Sequence, residues 1–394
     1  MTKLPEFDLD PAAKSFRREV RQWLKENWTD SREAEHRKLP FKDRGFDRDF
    51  ARALGERGWI GAGWPTSEGG LGLSPAEQLV LTEELEYAGA PYGHLVASTM
   101  IAPALIQFGS PEQKAEYLPR IRSGEVAFAL GYSEPEAGSD LASLKTRAVK
   151  DGDGWRINGQ KMWSTMADKA DLLWLATRTD PDANPKHAGI SVFIVPMDTP
   201  GLTVRPGLAM YGKTFSELLL EDLWVPDSAL VGKENKGWAI ITSALAAERV
   251  TIGGTVALLQ RALDQLTNYI AVAEVGGCKL REDPVLLDRL GGIAADMEAA
   301  RQLALRNIRL ASQGRTPIHE ASMAKVYVAE LQGRLGEAAL EILGSSGLLS
   351  EDAPNAPVGE MEQVLRHTIM QILGGGASEI QRNIIAMHGI GLPR

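Results

Sequence analysis

The chain has 394 residues with 44% hydrophobic, 24% charged and 6% aromatic content, and at roughly 150 residues per domain it divides into two or three domains with a substantial core. Lys and Arg number 43 against 52 Asp and Glu, and the net charge of -9 argues against a nucleic-acid or anionic-membrane surface. A single cysteine, Cys278, excludes an internal disulfide, a thiolate zinc site and an iron–sulfur cluster, and points to a reducing compartment. No targeting signal is recognisable and no apolar run approaches the ~18 residues of a membrane span, so no membrane insertion and a cytoplasmic location are expected.

In chain order, Asp10 followed by Pro11 marks a helix start, with Phe16, Val20, Trp23 and Leu24 at helical spacing behind it. Helices are predicted over residues 48–58, 75–88, 95–108 and 111–123, with Gly69-Gly70-Leu71-Gly72 as a loop. Near Glu125 the pattern changes to strands. Residues 155–163 alternate about Asn158-Gly159, which predicts a hairpin where two strands meet. Residues 190–195, 202–205 and 218–224 continue the sheet, with turns at Pro200-Gly201, Pro206-Gly207 and Pro226-Asp227. From Gly237 the spacing is helical again, over 238–273, 284–313, 318–342 and 361–375. A last helix starts at Ser378, which forms a capping-box pattern with Gln381. The expected fold is a multidomain α+β arrangement: an N-terminal all-α domain (1–123), a middle β-barrel-like or sandwich domain (124–236) and a C-terminal four-helix bundle (237–394).

Several chemistries lack their residues. The six histidines, His36, His94, His187, His319, His367 and His388, show no metal-ligand spacing, so no metal is expected. A Gly-x-Ser-x-Gly elbow, a phosphate loop ending in Gly-Lys-Ser/Thr and a strand-linked Gly-x-Gly-x-x-Gly are also missing, which weakens hydrolase, kinase and nicotinamide readings.

The segment Gly131-Tyr132-Ser133-Glu134-Pro135-Glu136-Ala137-Gly138-Ser139-Asp140 concentrates hydroxyls and small residues in a structured loop. By its chemistry it suits either a polar planar ligand or a plain tight turn. It is followed by Lys161-Met162-Trp163-Ser164-Thr165. Together with Gly69-Gly70-Leu71-Gly72, Ile194-Val195-Pro196-Met197-Asp198-Thr199-Pro200-Gly201, Val225-Pro226, Gly237-Trp238 and Ile380-Gln381-Arg382-Asn383-Ile384-Ile385-Ala386, in that order, these segments make the sequence resemble the acyl-CoA dehydrogenase family over nearly its whole length. The resemblance implies an FAD-dependent enzyme that takes the α-proton and β-hydride from an acyl-CoA thioester, giving the 2-enoyl-CoA. The hydride goes to flavin N5 and the electrons pass to electron-transfer flavoprotein or a similar acceptor. The resemblance also implies that Trp163 packs on the flavin, that Thr165 bonds near N5, and that Ser133 and Ser139 bond the ring and the pyrophosphate. Leu130 and Ser164 belong to the same cofactor set, and Ser139 and Arg249 to the substrate side. Neutral donors and an aromatic face suit a planar redox ring.

Abstraction of an α-proton needs a poorly solvated carboxylate. Where many family members carry that Glu, this sequence has Gly374-Gly375-Gly376-Ala377, with Gly375 at the base position. A second family location falls on Glu248. The residues support it independently, because Ile241, Leu245, Glu248, Ile252, Val256, Leu259 and Leu263 form one stripe of the predicted helix, with Glu248 its single charge. The other reading of Glu248 is a salt bridge to a neighbouring helix, for which the adjacent Arg249 does not face it. Gly253 and Gly254 suit close approach of a ligand or a helix. The acyl pocket is expected between residues 95–108 and 238–263.

Two positions depart from the family pattern. Gly277 stands where an arginine normally reaches a neighbouring subunit's FAD, with Lys279 or Arg281 as substitutes, and Glu341 replaces a glutamine. Either a homotetramer that uses substitutes or a heterotetramer with a paralogous subunit accommodates this. A flavin-dependent monooxygenase on the same fold and a non-catalytic partner subunit are the alternative functions. Glu248 opposes the first, and Ser133, Ser139, Trp163 and Thr165 oppose the second. The missing late Glu suits branched, cyclic or steroid-like acyl groups.

Overall fold

The computed structural model describes residues 4, 9–93, 95–248, 252–350, 353, 356, 358 and 361–393, with the backbone alone at residues 96, 97, 246–248 and 252. The N-terminal region folds into α1 (Pro11–Asn27), α2 (Asp30–His36), α3 (Arg48–Glu56), α4 (Pro75–Ala88), α5 (Leu95–Phe108) and α6 (Pro111–Arg122). Their starts follow from the residues that cap them. The Asp10 carboxylate accepts the Ala13 N–H at 2.8 Å just ahead of Pro11. Ser74 and Ser110 close capping boxes with Glu77 and Gln113, each before a proline at the first helical position.

The middle region is one mixed eight-stranded sheet. Its strands are β1 (Phe128–Gly131), β2 (Arg147–Asp151), β3 (Gly154–Thr165), β4 (Leu172–Arg178), β5 (Ile190–Pro196), β6 (Leu202–Leu208), β7 (Thr214–Pro226) and β8 (Leu230–Val231). The order is β6-β7-β3-β2-β4-β5-β8, with β1 parallel to β4. β4 is buried at every position, whereas β7 alternates inward and outward at its start, and Trp155, Ile157, Leu173, Phe193, Leu218 and Val225 meet in the core.

The hairpin expected at Asn158-Gly159 does not form, because β3 runs through both residues. Gly159 has φ +153°, and a Cβ there would lie 2.6 Å from Thr146 Oγ1. Beside it the Asn158 Oδ1 accepts the Asp222 N–H of β7 at 2.8 Å, across an irregularity in the register. The glycine therefore serves a bulge and a close approach to Thr146, just ahead of β2. The chain turns instead at Gly152-Asp153, between the paired Asp151 and Gly154, with Gly152 at φ +62°.

The C-terminal region contains α7 (Gly237–Glu248), α8 (Ile252–Val272), the short pair β9 (Glu274–Val275) and β10 (Cys278–Lys279), α9 (Pro284–Ser312), α10 (His319–Leu343), α11 (Met361–Leu373) and α12 (Ser378–Ile384). A π-helical turn, Ile385–Ile390, follows. Helices α8 to α11 form the four-helix bundle around Leu259, Leu266, Met297, Leu331, Leu335 and Met361. Two helices, rather than one, share the span 238–273. They bury against different neighbours: α7 packs on α5 and β5, α8 on α4 and α9. The predicted apolar stripe is thus divided, with Ile241 buried on the first helix and Val256, Leu259 and Leu263 buried on the second.

Two compact units result: Met1–Leu39 with Ser74–Ala90 and Arg249–Arg394, and Pro40–Leu73 with Pro91–Glu248. In the first, Gly253 and Gly254 let α8 approach α4. A Cβ at Gly253 would meet Leu79 Cδ1 at 2.1 Å and one at Gly254 would meet Thr82 Cγ2 at 2.5 Å, so helix packing accounts for both glycines. Ser378 does not cap α12 as expected, because Ala377 occupies the cap. The Gln381 amide instead donates to the carbonyls of Gly375 at 3.2 Å and Gly376 at 3.3 Å, groups that the preceding glycine run leaves without helical partners.

Candidate functional site

The loop after β1 is fastened to β3 residue by residue. Ser164 Oγ donates to the Leu130 carbonyl at 2.8 Å, and the Met162 N–H donates to the Ser133 carbonyl at 2.9 Å. Between them Lys161, with no exposed side-chain surface, sends Nζ to the Tyr132 carbonyl at 3.1 Å and to Glu134 Oε1 at 2.8 Å. The Glu134 carboxylate also accepts the N–H groups of Lys145 at 2.6 Å and Thr146 at 2.9 Å, which ties the loop to the segment leading into β2. Nearby, the Arg178 guanidinium of β4 is taken up by the carbonyls of Ala142, Leu144 and Lys186.

This fastening presents Trp163. The register passes from Lys161 opposite Leu218 to Ser164 opposite Ser216, so β3 carries a residue more than β7 there. Trp163 takes up the difference with φ +63°, a left-handed backbone that a bulky L-residue adopts only when its surroundings impose it. Its indole is 62% exposed and rests edge-on against Phe215, with 6.0 Å between ring centroids. Thr165 is exposed two residues on, and Ser133 is half-buried on the loop. Leu130, Ser133, Trp163, Ser164 and Thr165 are therefore brought to one end of β3, while Ser139 is exposed farther along the loop. The Ser164 hydroxyl is committed to Leu130, which makes it part of the floor of this surface.

Sequence reasoning missed the Lys161–Glu134 pair, whose members stand 27 positions apart. Burial pushes the Lys161 ammonium down to about 8, against the pull of Glu134 and with the like charge of Arg178 adding to the push. Burial also opposes ionisation of Glu134, but the Lys161 charge together with hydrogen bonds from Lys161, Thr146 and Lys145 outweighs it and holds the carboxyl below its ordinary range.

Other expected residues fall elsewhere. Glu248 is the last residue of α7, and its side chain, like all of Arg249, lies outside the described residues, as does His94. Gly375 has φ +62° and Gly376 φ +89°, and the Gly376 carbonyl accepts Lys325 Nζ at 2.9 Å. That conformation gives the glycine at the late base position its own structural reason. Gly276 and Gly277, at φ +58° and +80°, are the two turn residues between β9 and β10, a turn that requires positive φ at both. Arg281 donates to the Ala271 carbonyl at 2.9 Å, Lys279 pairs with Glu282 at 3.5 Å, and Glu341 pairs with Arg289. Among the described residues, no three His, Cys, Asp or Glu side chains gather as metal ligands, and no helix is long and apolar enough to cross a membrane.

Comparison with known proteins places the chain in a family. Three family models match in chain order: the acyl-CoA dehydrogenase N-terminal domain at residues 10–125, the middle domain at 129–223 and the C-terminal domain at 235–390. Acyl-CoA dehydrogenase FadE26 of Mycobacterium tuberculosis is 38% identical over 360 residues, covering 88% of each chain. The solved Tcur3481-Tcur3483 steroid ACAD superposes with a TM-score of 0.89 at 36% identity, over 98% of this chain and 99% of that one. The ChsE4-ChsE5 complex of Mycobacterium tuberculosis gives a TM-score of 0.88 at 35% identity, over 99% of this chain and 100% of that one. The chain belongs to the acyl-CoA dehydrogenase family, a flavoprotein family, and is an oxidoreductase of that class.

The Glu134 carboxyl is held lower in the fold than in the unfolded chain, so its contribution is complete above the usual 4.5 and disappears as the pH falls through the folded value. The stability gap between the wild type and Glu134→Gln should accordingly be widest near neutrality and close on acidification, when the carboxyl becomes a neutral group much like the amide. Urea titrations at several pH values measure this, and a gap that does not change with pH would contradict it.

Proposed function

We propose that the chain catalyses FAD-dependent α,β-dehydrogenation of an acyl-CoA thioester to the 2-enoyl-CoA, with Glu248 as the base. The observation that carries this reading is the indole of Trp163, held outward on a strained backbone with the hydroxyls of Ser133 and Thr165 at the same end of β3. An aromatic face flanked by neutral donors fits an isoalloxazine ring, because nothing in the set fixes a charge on it. FAD, when bound, supplies a hydride acceptor at its N5. Trp163 would stack on the ring, Thr165 and Ser133 would hydrogen-bond it, and Ser139 would reach the pyrophosphate and the thioester side. Leu130 and Ser164 hold the floor through their own hydrogen bond.

Glu248 ends α7, the helix that packs on α5 and β5, and follows the apolar positions Ile241 and Leu245 at helical spacing. A carboxylate in apolar surroundings is a stronger base than a hydrated one, which is what removal of a weakly acidic α-proton requires. Arg249 would support the substrate beside it. The electrons would leave to electron-transfer flavoprotein or a similar acceptor, in the cytoplasm. The domain division at residues 1–123, 124–236 and 237–394 is part of the same reading, supported by the three family matches.

We further infer that the working assembly is a heterotetramer with a paralogous subunit, rather than a homotetramer, acting on a bulky, steroid-like acyl group. The turn at Gly276-Gly277 leaves no place for a family-type arginine, Arg281 and Lys279 are engaged within the chain, and Glu341 faces Arg289. Two structural neighbours carry the names of protein pairs, and one is titled a steroid ACAD.

In the assembled holoenzyme, Glu248→Gln should keep its FAD but slow flavin bleaching by a steroid-type acyl-CoA by about 10²–10⁴-fold, the range a positioned general base supplies; reduction at the wild-type rate would remove Glu248 from this role. Purified alone, the chain should hold less than one FAD per subunit and reach full occupancy on co-expression with its paralogue, as absorbance and light scattering report. A homotetramer saturated with FAD would contradict the mixed assembly.

A further inference from the structure

We propose that Lys161 and Glu134 are positioning residues of the flavin site, whose buried ion pair fixes Ser133 on the loop and Trp163 on β3 as one surface. Both side chains are buried, and the inference rests on the flavin reading of that surface.

An ammonium with no exposed side-chain surface is costly unless oxygen atoms surround it. The oxygens that Lys161 reaches belong to Tyr132 and Glu134, one on either side of Ser133. The carbonyl of Ser133 itself is taken by the next strand residue, Met162. Three consecutive loop residues are thereby pinned by two consecutive strand residues, and the Glu134 carboxylate anchors the other end of the clasp on the Lys145 and Thr146 amides. Sliding the loop along β3 by one position would strip a buried charge of its partner, so the register of loop against strand is strongly specified.

Trp163 follows this clasp directly, and the Ser164–Leu130 hydrogen bond holds the residue after it. A left-handed tryptophan persists only where its neighbours over-determine the backbone. Here the fixed points lie on both flanks, at Lys161 and Met162 before it and at Ser164 after it. Loss of the Lys161 charge removes one flank. The backbone at Trp163 then relaxes, and the indole and the Ser133 hydroxyl lose their common frame, which weakens FAD binding without deleting any group that touches it.

The test compares Lys161→Met, Glu134→Gln, the double variant and Trp163→Phe in the assembled holoenzyme, with FAD as the probe. Two quantities are read: the FAD dissociation constant and the emission of bound flavin, which a stacked indole quenches. Lys161→Met and Glu134→Gln should each weaken FAD by about tenfold or more, the effect of lost preorganisation rather than of a lost contact. Both should brighten bound flavin as Trp163→Phe does, and the double variant should be no worse than Lys161→Met, because the two groups act as one unit. Wild-type affinity and full quenching in either single variant, beside a weakened Trp163→Phe, would overturn the clasp and leave the flavin reading standing. Should Lys161→Met fail to fold, Glu134→Gln, which keeps shape and volume, decides the matter by the same two readings. A wild type that takes up no FAD, or a Trp163→Phe variant that changes neither quantity, would overturn the flavin reading and the clasp together.

Discussion

A lysine ammonium without access to water has to be answered by oxygen atoms in the protein, and at Lys161 that requirement organises the end of the sheet that carries Trp163. The answer comes from Tyr132 and Glu134, and Glu134 in turn draws in the Lys145 and Thr146 amides just ahead of β2. The pair is a specifying device more than a stabilising one. Two well-packed apolar side chains would make an equally stable core, but they would tolerate a shift of the loop that a buried ion pair does not. What depends on it is local: the bulge in β3, the left-handed Trp163 within that bulge, and the spacing of the hydroxyls around it.

Much of the molecule was legible in the residues because local and global preferences agree. Asp10-Pro11 announces a helix that begins where those residues place it, and the helices expected from residues 75 and 111 begin there too, behind the caps of Ser74 and Ser110. The long apolar periodicities of α9 and α10 give their ends to within a residue or two. Misreadings arose where one residue type serves two purposes. Asn158-Gly159 has the composition of a hairpin turn, yet the same glycine freedom serves a bulge against Thr146, and the actual turn uses a glycine seven positions earlier. Ser378 and Gln381 have capping-box spacing, but the carbonyls of Gly375 and Gly376 claim the glutamine amide first. The stripe from Ile241 to Leu263 is apolar apart from Glu248, and periodicity alone does not reveal that two helices with different neighbours divide it.

The candidate site was legible as a set of residues and not as a mechanism of assembly. Ser133, Trp163 and Thr165 belong to segments whose composition is distinctive. Lys161, by contrast, sits on an alternating strand where a lysine usually faces water, and Glu134 is one acidic residue in a loop that holds three. Nothing local links them; the link is made by the tertiary fold. Gly277 and Gly375 show the converse. Each looked like a missing functional side chain, and each has a positive φ that favours glycine whatever the chemistry nearby. The backbone at both positions thus favours glycine for its own structural reason, whatever supplies the arginine and glutamate functions.

The most direct test of the central claim, removal of an α-proton and a β-hydride from an acyl-CoA, is anaerobic mixing of the holoenzyme with a steroid-type acyl-CoA, unlabelled or deuterated at Cα and Cβ. The flavin's visible absorbance is followed and the product analysed by mass. The expected result is bleaching in a single turnover, slowed by deuterium at each carbon, with the acyl-CoA two hydrogens lighter. A flavin that stays oxidised under these conditions, or a product that gains oxygen once air is admitted, would contradict it.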